Sequence, residues 1–161
     1  LLDLLAAQRP DDAVGVIGLT TADLYPSNDW GFVFGEASPS RHVGIWSVAR
    51  YHEDFGANTP EPPRTDDAQL LRDTLATMTH EVGHMLGLAH CYHFACNLNG
   101  SSSLEESRRG TLALCPVCLR KLYAIDPFSP RRRYRQLRAF YRAHGLHQEA
   151  RWMTQRLEDA P

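Results

Sequence analysis

The run His80-Glu81-Val82-Gly83-His84-Met85-Leu86-Gly87-Leu88-Ala89-His90 sets three imidazoles and one carboxylate at fixed intervals. His80 and His84 stand four residues apart, which on a helix places them one above the other on a single face. Glu81 adjoins the first of them. Gly87 permits the helix to stop and the chain to reverse, which carries His90 toward the same point. Three histidines converging beside a carboxylate, with a fourth position left open, make the ligand set of a catalytic zinc. In a chain of 161 residues, five specified positions match by chance on the order of 10⁻⁵.

Working upstream, Thr65-Asp66-Asp67 supplies a capping residue and first-turn acids, so the helix is expected to begin there. Leu70, Leu71, Leu75, Met78, Val82 and Met85 recur near helical spacing and predict a buried stripe. Asp73, Thr77, His80 and His84 follow another face. Gly83 stands in mid-helix, where glycine costs about 1 kcal/mol relative to alanine; some neighbour is expected to approach the backbone closely there.

Working downstream, Cys91 and Cys96 form one pair and Cys115 and Cys118 a second. Cys115-Pro116-Val117-Cys118 has the spacing of a zinc knuckle, whose tight turn lets two sulfurs grip one ion. A four-thiolate site has no open position and would be structural. Two disulfides or four free thiols are the other readings of the same residues. The pair-plus-pair spacing, set directly against the first motif, favours the metal. His90 and Cys91 are consecutive, and successive Cα atoms lie about 3.8 Å apart, so the two metals are expected to be near neighbours. The cysteine site should then clamp the third histidine.

The spacing H-E-x-x-H-x-x-G-x-x-H is that of the metzincin peptidases. From His80 through His90-Cys91, Cys96, Asn97-Leu98-Asn99-Gly100 and Ser103-Leu104-Glu105-Glu106 to Cys115-Pro116-Val117-Cys118-Leu119-Arg120-Lys121-Leu122, the chain resembles the archaemetzincins. Weaker similarity extends upstream through Gly15–Thr20 and Asp23–Pro26 to Gly44–Tyr51. The resemblance implies a zinc metallopeptidase with two Zn²⁺ per chain, one catalytic and one structural. One position departs from the pattern: the family usually carries Met two residues after the second cysteine, and here that residue is Leu98. Leucine has similar volume, so packing should survive at a cost under about 1.5 kcal/mol.

The expected fold class is α/β (α+β), metzincin-like: a twisted, mainly parallel sheet packed on a long active-site helix, then an irregular four-cysteine region over 89–122, then C-terminal helices. Residues 1–128 are expected to form the peptidase domain, and 129–161 a helical segment packing on it. Ala13–Gly18 reads as a continuous apolar, buried strand, Phe32–Gly35 as a second and Val43–Tyr51 as a third. Three prolines make Gly56–Pro63 a loop. Leu1–Ala7 reads as the end of a helix stopped before Pro10. Ser129-Pro130 opens a helix running toward Gly145, and Leu146–Leu157 forms the last.

Composition bounds the rest. With 43% hydrophobic and 22% charged residues, the chain is neither disordered nor membrane-spanning by composition. A formal charge of −2 gives no general reason to bind nucleic acid. The basic run Arg131-Arg132-Arg133-Tyr134-Arg135 reads as a solvated helix face. His42, His52, His144 and His147 read as surface residues, and His93 as an alternative ligand between two cysteines. Tyr51 and Tyr92 are candidates to hold a reaction intermediate. Cysteines used as metal ligands favour a reducing compartment, hence the cytoplasm. The chain begins at Leu1, so an N-terminal piece is expected to be missing.

The expected activity is hydrolysis of peptide bonds by a zinc-held water, with Glu81 as general base and then general acid. By resemblance to metzincins, a peptide or protein substrate would lie extended along an exposed edge strand, for which Val43–Tyr51 is the candidate. A non-peptidase zinc hydrolase and a zinc-stabilised binding module are the rival readings. Oligomeric state is not legible.

Overall fold

A computed structural model describes residues 1–26, 31–51, 55 and 67–159. The organising element is the helix α2, Asp67–Met85, 19 residues and so about 28 Å long. The expected cap at Thr65-Asp66 and the Gly56–Pro63 loop lie outside the described residues. Gly87 ends the helix as expected. It adopts φ +80°, its N–H donates to the His84 carbonyl, and the Leu88 N–H donates to the Gly83 carbonyl. This paired closure needs a left-handed residue, which glycine supplies without a Cβ clash.

Three strands precede α2: β1 (Val16–Thr20), β2 (Gly35–Ser38) and β3 (Val43–Ser47), in the order β1-β3-β2. β1 runs parallel to β3, from Val16 opposite Val43 to Thr20 opposite Ser47. β2 runs antiparallel to β3, from Gly35 opposite Trp46 to Ser38 opposite Val43. The two faces of the sheet carry different helices. Gly18 abuts Leu5 of α1 (Leu2–Ala7), while Gly15 and Gly44 abut Met85 of α2.

Three strand expectations are corrected. Val43–Tyr51 is not the edge above the cleft: β3 is the central strand, buried at every position, and Ala49–Tyr51 is a single 3-10 turn. The edge beside α2 is β2. It starts at Gly35, at the end of the expected strand Phe32–Gly35, and Val33 makes only an isolated bridge to Leu24. Nor is β1 fully buried. It alternates, with Ile17 42% and Leu19 60% exposed, because α2 lies across β2 and β3 and not across β1.

The α2 stripe divides between two cores. Leu71, Leu75 and Ala76 pack against Tyr141, Leu146, Ala150 and Met153, which belong to α5 (Pro130–Ala143), α6 (His147–Asp159) and the turn between them. Met85 instead meets the sheet. The Ser129 hydroxyl caps α5 as expected, accepting from the Arg132 N–H at 3.2 Å. Of the basic run, Arg131, Arg132 and Arg135 are exposed, but Arg133 is half-buried. Burial holds its guanidinium below its ordinary pKa.

Residues 89–122 are not wholly irregular. Leu104–Arg109 forms α3, capped by Ser103, and Pro116–Ile125 forms α4, whose capping residue is Cys115. A second core of Leu88, Cys96, Leu98, Cys115 and Cys118 sits among them. No described helix is long and apolar enough to cross a membrane.

Candidate active site

All three motif histidines converge. His84 Nε2 lies 3.0 Å from His80 Nε2, and His80 Nε2 lies 3.2 Å from His90 Nε2. For His80 and His84 the opposite ring nitrogens are committed elsewhere. His80 Nδ1 bonds the Asn97 carbonyl at 2.8 Å, and His84 Nδ1 bonds the Leu88 carbonyl at 2.7 Å. A carbonyl only accepts, so each Nδ1 carries its proton and each Nε2 presents a lone pair. Burial also holds the pKa values of His80 and His90 below the usual imidazole range, which favours the neutral, ligating form.

Lone pairs facing one another at 3 Å repel unless a cation lies between them. A tetrahedral zinc with Zn–N of about 2.0–2.1 Å separates its nitrogens by about 3.3 Å. The observed spacings fit that ion. His90 is the most exposed of the three; its ring rests over Gly100, and Tyr92 Oη approaches its Nδ1 at 3.4 Å.

Glu81 lies on the next face of α2. A Cβ at Gly35 would come within 3.2 Å of both Glu81 Cγ and Thr77 Cγ2, so β2 passes the helix closely there. Burial, and secondarily the Glu36 carboxylate, raise the Glu81 pKa, against an opposing effect of His84. A cleft of about 610 Å³ opens beside it, lined by Glu81, His80 and His90, by Phe32–Gly35 on one side, and by Asn99–Ser102, Ser107 and Arg109 on the other.

The cysteines form a second cluster, with all four ligand atoms within 4.8 Å of one another. All four are free, which rules out the disulfide reading in this structure. Cys91 Sγ and Cys115 Sγ are 3.9 Å apart, near the roughly 3.8 Å expected across a tetrahedral ion with Zn–S of about 2.3 Å. Main-chain groups also reach the sulfurs: Cys96 Sγ accepts from the Cys115 N–H at 3.3 Å and Cys115 Sγ from the Cys118 N–H at 3.4 Å. Burial pushes the Cys96 and Cys118 thiols up, so thiolates there need a cation to form. A backbone hydrogen bond from His93 holds Cys91 below its ordinary value. The His93 side chain belongs to neither cluster.

Gly83 carries the close approach expected of it. A Cβ there would lie 2.6 Å from Leu98 Cδ2, and Leu98 is fully buried. The tyrosine candidates divide. Tyr51 is buried behind the cleft wall: it does not line the cleft itself, but its hydroxyl bonds the lining residue Thr77, and burial pushes its pKa up to about 12. Tyr92 is 80% exposed. His42, His144 and His147 are exposed, as expected, and His52 lies outside the described residues. Sequence reasoning missed Asn97, whose carbonyl orients His80, because a main-chain acceptor has no signature in sequence. It also missed Gly35.

Comparison with known proteins agrees with this geometry. The profile of peptidase family M54 matches residues 6–124. Archaemetzincin-2 of Rattus norvegicus is 42% identical over 157 residues, covering 85% of this chain and 44% of its own length. Archaemetzincin-2 of Homo sapiens is 36% identical over 181 residues, covering 100% and 47% respectively. The chain thus spans less than half the length of these curated relatives. Among solved structures, the archaemetzincin of Methanopyrus kandleri superposes with a TM-score of 0.60 at 33% identity, covering 77% of this chain and 62% of that one. A zinc-dependent peptidase from Methanocorpusculum labreanum gives a TM-score of 0.64 at 27% identity, covering 75% and 71%. The chain belongs to peptidase family M54, the archaemetzincins, a family of zinc metallopeptidases.

Proposed function

We propose that this chain is a zinc-dependent peptidase in which His80, His84 and His90 hold a catalytic zinc and Glu81 moves the proton. Cys91, Cys96, Cys115 and Cys118 hold a second, structural zinc, giving two Zn²⁺ per chain. The observation that carries the reading is the meeting of three Nε2 atoms, two spacings of which are 3.0 and 3.2 Å, beside a cleft-lining carboxylate.

Zinc at such a site acidifies water toward neutrality and polarises a carbonyl oxygen. The chain supplies the rest. Glu81 takes the proton from the attacking water and later delivers it to the leaving amine. Burial favours the protonated form of this carboxyl, which makes the carboxylate a better proton acceptor. The carbonyls of Asn97 and Leu88 keep His80 and His84 in the ligating tautomer. Substrate lies extended along the edge of β2, pairing with its free main-chain groups, and the Asn99–Ser102 wall confines it from the opposite side. Residues 1–128 form the peptidase domain, and 129–161 brace the N-terminal half of α2 within the same unit. Four reduced thiols at one site suit a reducing compartment such as the cytoplasm. A binding module would have no use for a carboxylate with a raised pKa in a cleft.

Glu81→Gln is the test, assayed on peptide libraries with zinc content measured alongside. Turnover should fall by about 10²–10⁴ with zinc retained. Full activity in that variant would remove Glu81 from the mechanism.

A further inference from the structure

We propose that Asn97 is a positioning residue that couples the cysteine cluster to His80, so that filling the four-cysteine site raises the metal affinity of the three-histidine site. This rests on the reading of both clusters as zinc sites.

Asn97 is 8% exposed, and its side chain and both main-chain polar groups are engaged. Its Nδ2 donates to the Ala76 carbonyl at 3.1 Å and to Thr79 Oγ1 at 2.9 Å. The Thr79 hydroxyl donates in turn to the Leu75 carbonyl. The main-chain N–H of Asn97 donates to the Ala113 carbonyl at 2.8 Å. Its own carbonyl accepts from His80 Nδ1 at 2.8 Å. These bonds close a ring: α2 carries His80, His80 is oriented by the Asn97 carbonyl, and the Asn97 side chain is clipped to the turn of α2 just before His80. The imidazole plane is therefore set by where Asn97 sits.

That place depends on the cluster. Cys96, the preceding residue, is one of the four sulfurs. On the other side Leu98 packs under Gly83, and its carbonyl accepts the Cys91 N–H at 2.8 Å. Cys91 in turn follows His90. Two of the three histidines are thus tied to the cluster through a single residue each, His80 through Asn97 and His90 by its own peptide bond. An ion held by Cys91 and Cys96 restricts both ties. A second ion at the histidines then meets a pre-ordered ligand set and no longer bears that ordering cost. Coupling of this kind is reciprocal by thermodynamic necessity.

The test is a titration with Co²⁺ at fixed pH, because thiolate-bound and imidazole-bound cobalt absorb differently and each site is read separately. Affinity at the histidines is then confirmed with Zn²⁺ against a competing chelator. Asn97→Ala, in protein already filled at the cysteines, should weaken the histidine site by about 10–100-fold while leaving the cysteine site within about threefold. Thr79→Val, a near-isosteric change on the accessible side of α2, should weaken it in the same sense and carries the test if Asn97→Ala fails to fold. Cys118→Ser should reproduce the loss at the histidines without touching them. Histidine-site affinities within threefold of wild type in Asn97→Ala and Thr79→Val, or an unaltered site in Cys118→Ser, overturn the proposal. Wild-type protein that binds cobalt at the cysteines alone overturns the two-site reading, and the proposal with it.

Discussion

Replacing Gly83 by alanine sets two effects against each other at one position. Alanine is favoured over glycine in a helix interior by about 1 kcal/mol, so a substitution judged on propensity alone should stabilise α2. The added Cβ, however, would lie 2.6 Å from Leu98 Cδ2, about 1 Å inside normal carbon contact. Leu98 is fully buried among Cys96, Cys115 and Cys118, so it cannot swing into solvent. Overpacking of this kind costs about 1–3 kcal/mol, leaving Gly83→Ala neutral to destabilising by about 2 kcal/mol once propensity is subtracted. In a Leu98→Ala background the sign should reverse. That change alone costs about 2–5 kcal/mol, but it empties the space the new methyl needs, and the helical gain of about 1 kcal/mol then appears unopposed. The coupling between the two sites should be about 1–3 kcal/mol. Urea denaturation of the four proteins at saturating zinc measures it. Additivity to within about 0.5 kcal/mol, or a wild-type background stabilised by Gly83→Ala, would refute the contact as the reason glycine stands there.

Two further outcomes follow from the polar side of α2. Arg108 bonds the buried Asp73 through Nε at 2.8 Å, fastening α3 to the helix. Arg108→Met leaves that carboxylate uncompensated and should cost about 3 kcal/mol, and the double variant Asp73→Leu/Arg108→Met should recover most of it in the same denaturation assay. Tyr51 is held neutral by burial, with its pKa raised from the ordinary 10 to about 12. The folded state then binds the extra proton between those values, so its contribution to stability is complete below pH 10 and is lost as pH rises toward 12. Stability measured across that window should fall less steeply in Tyr51→Phe than in wild type; parallel curves would exclude Tyr51 as a source of the fall.

Much of the site is legible in the sequence because metal chemistry fixes residue type and spacing together. His80, His84, His90 and the four cysteines read directly, and Gly87 reads as the reversal that makes the third histidine reach the others. Gly83 announces a close approach, but not its partner, since Leu98 arrives fifteen residues later around a turn. The sheet is harder. Ala13–Gly18 and Val43–Ser47 are both apolar runs, and nothing local says that β3 takes the centre and β1 the edge; that depends on which strands α2 crosses. Likeness to a family points to the wrong strand as the edge, although the unbroken burial of β3 is the ordinary mark of a central one. α3 has a legible start that is easily overlooked inside the four-cysteine region: Ser103 followed by Glu106 is the S-x-x-E signal of a helix. Asn97 offers nothing to read, because it meets His80 through its main-chain carbonyl, a group that every residue carries.

The abutment of His90 and Cys91 also limits how this chain can vary in length. Loops usually absorb insertions because their ends are free to drift. Between these two clusters there is no loop, only one peptide bond. A single inserted residue would separate Cys91 from His90 by a further ~3.3–3.6 Å of chain, comparable to the span of either cluster. Such a gain or loss would have to be answered at both clusters at once, so the segment from Gly87 to Cys91 should keep its length wherever both clusters are kept, while variation collects between Asn99 and Cys115.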